Sequence, residues 1–103
     1  MKYLFAGLLC LSGLGPALAE GPTLKEARQR WLRGNYEEAR AKYQLLAKEP
    51  RYRAAAAVGI SQTWQSRGEY DRALAAVEAA LKDIPGDPGL LARQAELFYL
   101  RGR

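Results

Sequence analysis

The chain has 103 residues, of which 16 are Lys or Arg, 11 are Asp or Glu and none is His, so its formal net charge is +5. Ala and Leu are abundant, whereas the β-branched residues Val, Ile and Thr are scarce, and this composition argues against a β-rich fold. The single cysteine, Cys10, lies in an apolar N-terminal stretch, so the chain by itself can build neither a disulfide framework nor a Cys/His metal cluster.

Residues 1–19 have the layout of a secretory signal peptide. Lys2 gives a positive start, residues 4–14 are almost wholly apolar or small, and Ala17 and Ala19 supply small residues before a cleavage predicted after Ala19. The apolar core is shorter than the ~20 residues that span a bilayer, so no stable membrane span is expected after cleavage. The sequence therefore predicts a secreted or periplasmic protein.

A regular period follows the signal peptide. Gly34, Gly68 and Gly102 are evenly spaced along the chain, and each is preceded by Arg. Tyr36 aligns with Tyr70 at the same spacing, and further aligned positions match in size and polarity. Self-similarity at a period of about 34 residues indicates a helical repeat architecture.

The first unit has the signals of a helical hairpin. Thr23 and Glu26 form a capping box, so a helix should begin there and end near Gly34, which can adopt the left-handed conformation. Asn35 is predicted to cap a second helix that runs to Pro50. The apolar stripe of this second helix consists of Tyr36, Ala39, Tyr43, Leu46 and Ala47.

The second unit repeats the pattern. Its first helix should run from about Tyr52 to Gly68, and its second should begin at Tyr70 and end before Pro85. Ser61 is predicted to be the small residue at a tight helix crossing. The other predicted packing positions are Ala57, Ile60, Trp64, Ala73, Val77, Ala80 and Leu81.

A fifth helix is predicted after Asp87, which can act as the N-cap with Pro88 at the first helical position. This helix should end at Gly102. Leu91, Ala95 and Phe98 are predicted to point inward, with one side uncovered because the partner helix of this third unit is absent. A segment of this length is expected to be marginally stable or to self-associate through that helix.

The two units resemble tetratricopeptide repeats. The family's turn motif, Gly-x-Tyr-x-x-Ala, is intact at residues 34–39 and again at 68–73. The resemblance covers residues 20–103, with units at about 20–53 and 54–87 and an incomplete unit at 88–103. It implies an all-α solenoid, a right-handed superhelix of two repeats plus the first helix of a third.

The resemblance also implies a function, a protein–protein or peptide interaction scaffold. Stacked units of this kind bind through a concave face lined by the first helix of each unit. The candidate positions, which lie off the packing stripes, are Arg28, Trp31, Leu32, Gln62, Gln65, Arg93, Glu96 and Tyr99. An ordinary solvated position is the alternative for each of them, and for Trp31 the alternative is core packing.

Catalysis by this segment is excluded on chemical grounds. After the signal peptide the two serines, Ser61 and Ser66, have no His or Cys to work with, so a nucleophilic triad is not available, and neither a catalytic residue nor a cofactor or metal site is predicted. An enzyme remains as an alternative only for a longer parent protein, with a metallopeptidase-like domain beyond residue 103.

Several arginines raise the question of an anionic partner. Arg28, Arg30 and Arg33 cluster on the first helix, and Arg51 and Arg53 flank an aromatic residue between the units. Glutamates are interspersed nearby and can pair with these cations. The sequence therefore predicts no nucleic-acid partner.

Overall fold

The computed structural model describes residues 21–102, and this part of the chain consists of α-helices and turns without a β-strand. The helices are α1 (Leu24–Leu32), α2 (Tyr36–Leu46), α3 (Arg53–Gln65), α4 (Tyr70–Asp83) and α5 (Pro88–Arg101). A short 3-10 turn, Pro50–Tyr52, precedes α3. The all-α prediction is confirmed for these residues, whereas the predicted signal peptide and its cleavage site lie outside them.

Two of the three predicted helix caps form as expected. The Oγ1 of Thr23 accepts the Glu26 amide at 3.1 Å while the Thr23 amide donates to Glu26 Oε1 at 3.3 Å, which completes the capping box. Asp87 accepts the Leu90 amide at 2.9 Å. The prediction for Asn35 is wrong, because its side chain makes no cap bond. Its ψ of 68° differs from the extended backbone of a capping residue.

The turns at Gly34 and Gly68 have the same construction. Both glycines are left-handed, with φ of 86° and 77°, a conformation that favours glycine. Two amide-to-carbonyl bonds close each turn, Gly34 to Trp31 and Asn35 to Arg30 in the first, Gly68 to Gln65 and Glu69 to Trp64 in the second. This is the Schellman arrangement, repeated at the equivalent position of the next unit. Gly102, with φ of −76°, does not adopt it.

Each helix packs against its neighbours in the chain, and α3 also contacts α1 and α5. Helix α3 is therefore central to both halves of the core. The first core cluster contains Ala27, Ala39, Tyr43, Leu46 and Ala56. The second contains Ala57, Ala73, Leu74, Val77, Ala80, Leu90 and Leu97. Ala56 and Ala57, adjacent on α3, belong to different clusters, so this helix buries more than one side.

A close helix crossing lies at Gly59 of α3. A Cβ atom there would overlap the ring of Tyr43 on α2, so the two helices approach over bare glycine backbone. Burial raises the pKa of the Tyr43 hydroxyl, and the nearby charge of Arg28 opposes this shift. Ser61, predicted as the small crossing residue, is fully buried as well, but its hydroxyl serves the contact with α5.

The inward face of α5 differs from the prediction. Leu90, Arg93 and Leu97 are the buried residues of this helix. Leu91 and Phe98 are each 45 % exposed and Ala95 is exposed too, so the prediction that these three point inward is wrong. Both stripes have helical spacing, and contact with α3 and α4 buries the one that begins at Leu90.

Candidate interaction surfaces

The first candidate surface is formed by α1, α3 and α5 and is called the first-helix face here. The eight residues predicted for partner binding belong to these three helices, of which α3 contacts the other two. Four of the eight are exposed, namely Arg28, Leu32, Glu96 and Tyr99. Trp31, Gln62 and Gln65 are half-buried, and Arg93 is buried.

Arg93 joins α5 to α3 through two hydrogen bonds and makes an ion pair within α5. Its Nε donates to Ser61 Oγ at 2.7 Å and its Nη2 to Gln65 Oε1 at 2.5 Å. Its Nη1 forms an ion pair with Glu96 Oε1 at 2.9 Å. Only 6 % of the Arg93 side chain is exposed, whereas its ion-pair partner Glu96 is 58 % exposed. Arg93 therefore positions its neighbours, and its predicted place off the packing stripe is wrong.

Trp31 has the core-packing role that was the alternative to partner binding, and it also makes a hydrogen bond to the segment after α3. Its ring packs against the first core cluster, while its Nε1 donates to Ser66 Oγ, just after α3, at 2.8 Å. The guanidinium of Arg28 lies 5.7 Å from the centre of the indole ring, a cation–π distance. Trp31 thus ties α1 to the end of α3 as Arg93 ties α5 to α3.

The second surface was not predicted from the sequence and centres on Trp64 of α3. The guanidinium carbon of Arg40, on α2, lies 3.5 Å from the centre of the Trp64 ring, and that of Arg72, on α4, lies 4.8 Å from it. Arg40 also donates its Nε to Thr63 Oγ1 at 2.9 Å. Its Nη2 is buried and has no hydrogen-bond partner.

A cavity of about 240 Å³, called the arginine pocket here, lies beside this contact. Its walls are Glu37, Arg40, Trp64, Arg67, Glu69 and Arg72. The pKa of Arg40 is lowered mainly by burial and further by the charges of Arg67 and Arg72, against the opposing charge of Glu37. The pocket therefore holds three guanidinium groups and two carboxylates, with one positive charge in excess.

An open groove of about 710 Å³, called the alanine groove here, shares Trp64 and Arg72 with the arginine pocket. It lies between α2 and α4, with α3 beneath it. Alanines make up half of its lining residues, namely Ala47, Ala57, Ala75, Ala76, Ala79 and Ala80. Short side chains leave room for another chain to approach the helix backbones, and the Arg53–Asp83 ion pair also lines the groove.

The register of the repeat contains a signal for this second surface. Arg40 is equivalent to Leu74, and Thr63 is equivalent to Leu97, each pair being one repeat period apart. Leu74 and Leu97 are buried in the second core cluster. A cation at a position that the next unit fills with buried leucine is the sequence feature that could have identified Arg40.

The other arginines considered in the sequence include several with acidic neighbours. Arg30 pairs with Glu38 at 3.0 Å, Arg53 with Asp83 at 3.9 Å and Arg51 with Glu49 at 4.0 Å. Surface pairs of this kind contribute ~0–1 kcal/mol each. The prediction that nearby glutamates pair with these cations is confirmed for Arg30 and Arg51, whereas the partner of Arg53 is an aspartate of α4.

Comparison with known proteins shows no matching family model, no similar curated protein and no similar solved structure. Within residues 21–102, no helix has both the length and the apolar character that crossing a membrane requires. The same residues bring together no group of three or more His, Cys, Asp or Glu side chains suited to a metal ion. Function is therefore inferred from the contacts of the two surfaces.

Proposed function

We propose that the chain is a protein–protein or peptide interaction scaffold of the tetratricopeptide-repeat type, with two repeats and the first helix of a third. The repeated Schellman turn at Gly34 and Gly68 supports the repeat assignment, as does the contact of α3 with both α1 and α5. In this proposal the signal peptide directs the scaffold to a secreted or periplasmic location, and partners bind without catalysis or a cofactor.

The observation that carries the proposal is that some residues of the first-helix face hold its helices together while others are exposed. Arg93 and Trp31 hold its centre through hydrogen bonds between helices. Leu32 and Tyr99, on the two outer helices, are 62 % and 63 % exposed. Tyrosine is a typical anchor of protein interfaces, and a side chain on a rigid support loses little conformational entropy when it binds.

A random-peptide library selected against the purified chain tests this proposal. Selected peptides should lose at least about tenfold in affinity when Leu32→Ala removes an anchor, because a buried leucine contributes ~1.5–3 kcal/mol. Leu45→Ala is the matched control, since Leu45 is also exposed, at 52 %, but belongs to α2. Equal effects of the two substitutions, with helicity unchanged, would contradict binding through the first-helix face.

A further inference from the structure

Arg40, in the arginine pocket, is a half-buried cation at a position where the next unit has a leucine. Arg40 takes the place that Leu74 has in the second unit, and leucine there is 5 % exposed. Replacing a buried charged group with a well-packed apolar residue is often neutral or stabilising. The repeat thus accepts an apolar side chain at this position, and a partly buried cation there, with one guanidinium nitrogen unpartnered, points to a role in binding.

No carboxylate of the described residues neutralises Arg40 within ion-pair distance. Glu37 lies 3.9 Å from Arg67, and Glu69 lies 4.0 Å from Arg72, so both acids of the pocket face other cations at the limit of pairing. Three guanidinium groups and two carboxylates line the cavity. One positive charge remains, together with the unpartnered Nη2 of Arg40.

A carboxylate fits this environment. Guanidinium groups bind carboxylates through two parallel hydrogen bonds, and stacking on an aromatic ring holds them in a fixed orientation. Arg40 and Arg72 both lie within 4.8 Å of the Trp64 ring centre. An anion in the cavity would offset the mutual repulsion of the arginines and replace a poorly compensated charge with an ion pair.

The lining of the alanine groove indicates which kind of molecule the bound carboxylate belongs to. It shares Trp64 and Arg72 with the pocket, and its lining includes Ile60 and several alanines. A ligand complementary to both parts has an acidic group beside small apolar groups, as a peptide with Glu among Ala and Leu has. We propose that the arginine pocket binds the carboxylate side chain of a peptide whose neighbouring apolar side chains lie in the alanine groove.

This inference rests on the proposed scaffold function for the nature of its ligand, but it uses a different surface, formed by α2, α3 and α4. Each of the two surfaces contains one of the two tryptophans of the chain, so binding at each surface can be measured separately. Trp31 belongs to the first-helix face and Trp64 to the arginine pocket, so their indole N–H signals in an NMR spectrum of the isotope-labelled chain report on one surface each.

The probe is the acetylated and amidated peptide Ala-Leu-Glu-Ala-Ala, titrated beside its twin with Gln in place of Glu. The Glu peptide should shift the Trp64 indole signal to saturation, and the Gln peptide should leave it unmoved. Sodium acetate and sodium phosphate are titrated separately. If either anion binds as tightly as the Glu peptide, the groove adds nothing and the peptide assignment is overturned.

Arg72→Gln and Arg51→Gln form a matched pair of variants. Arg72 lies 4.8 Å from the Trp64 ring and 4.0 Å from Glu69. Arg51 lies 4.7 Å from the Tyr52 ring and 4.0 Å from Glu49, outside the pocket. Both are mostly exposed, so neither substitution should impair folding.

Arg72→Gln should weaken binding of the Glu peptide about tenfold, because it removes a charge-assisted hydrogen bond. Arg51→Gln should leave the affinity unchanged. Equal affinities of the two variants would overturn the proposal, as would binding of the Gln peptide with the affinity of the Glu peptide. Shifts confined to Trp31 would overturn the arginine pocket while supporting the first-helix face, and shifts confined to Trp64 would support the pocket alone.

Discussion

The two interfaces between successive units use equivalent positions with opposite chemistry. In the second, between α4 and α5, Leu74 and Leu97 belong to one buried apolar cluster. In the first, between α2 and α3, the equivalent residues are Arg40 and Thr63, joined by a 2.9 Å hydrogen bond. The same helical architecture accepts either pair. We infer that the polar pair serves ligand binding at the first interface, where an apolar pair would stabilise the fold more.

The two interfaces also differ in which of the two facing helices carries the larger side chain. In the first, the large Tyr43 of α2 lies against Gly59 of α3. The equivalent residues in the second are Val77 of α4 and Arg93 of α5, so the large residue has moved to the other helix. Each interface thus combines a larger and a smaller residue at these positions.

The largest difference in the free energy of unfolding is expected when the two equivalent residues Leu97 and Thr63 are each replaced by alanine. Leu97→Ala should lower the free energy of unfolding by about 3 kcal/mol, because it opens a cavity at a fully buried leucine. Thr63→Ala should cost less, about 1–2 kcal/mol, because it removes the hydrogen bond to Arg40 and only one buried methyl group. Urea denaturation followed by far-UV circular dichroism measures both, and equal losses would contradict the distinction.

A smaller effect is expected at the tight crossing of the first interface. Gly59→Ala should cost about 2 kcal/mol, because the new Cβ overlaps the buried ring of Tyr43. Gly86→Ala is the matched control, since a Cβ there meets no atom within 4 Å. Thermal unfolding of the two variants would show the difference, and a stabilised Gly59→Ala variant would mean that the crossing is looser than described.

Making the first interface resemble the second should increase stability. The double variant Arg40→Leu with Thr63→Leu removes a poorly compensated cation and its partner, and it should gain about 1 kcal/mol. It should also lose binding of the acidic peptide. A double variant that is both less stable and unchanged in peptide binding would show that the polar pair serves the fold rather than a ligand.

The smallest expected effect is confined to alkaline pH. Folding raises the pKa of Tyr43, so the folded chain holds this proton more tightly than the unfolded chain, and stability should fall as the pH rises above about 10. The second interface has Val77 at the equivalent position and lacks this dependence. Tyr43→Phe should flatten the alkaline fall in stability, whereas Tyr99→Phe, at an exposed position, serves as the control.

The features predicted correctly from the sequence are those fixed by neighbouring residues. The capping box at Thr23 and the left-handed turns at Gly34 and Gly68 depend on a few adjacent residues, and the capping box and the left-handed Gly34 form as expected. The face of α5 depends on which apolar stripe meets α3 and α4. Leu90 and Leu97 have the same helical spacing as Leu91 and Phe98, so local pattern alone does not distinguish them.

The candidate sites divide in the same way. The exposure of Leu32 and Tyr99 agrees with their predicted place off the packing stripes. Arg93 and Arg40 were misjudged or missed because their environments are created by side chains from other helices, Ser61 and Gln65 in one case and Trp64 in the other. A long cationic side chain can be exposed or buried between helices, and which of the two occurs depends on the residues of the helix packed against it.

The two glycine turns also bear on how quickly the chain can fold. Each joins a pair of helices through a connection of only a few residues, so the ends that must meet are already close in the unfolded chain and little loop-closure entropy is lost. Contacts between chain neighbours dominate the rest of the architecture. Chains with such local contacts fold within microseconds to milliseconds, so each hairpin can assemble without waiting for distant segments to arrive.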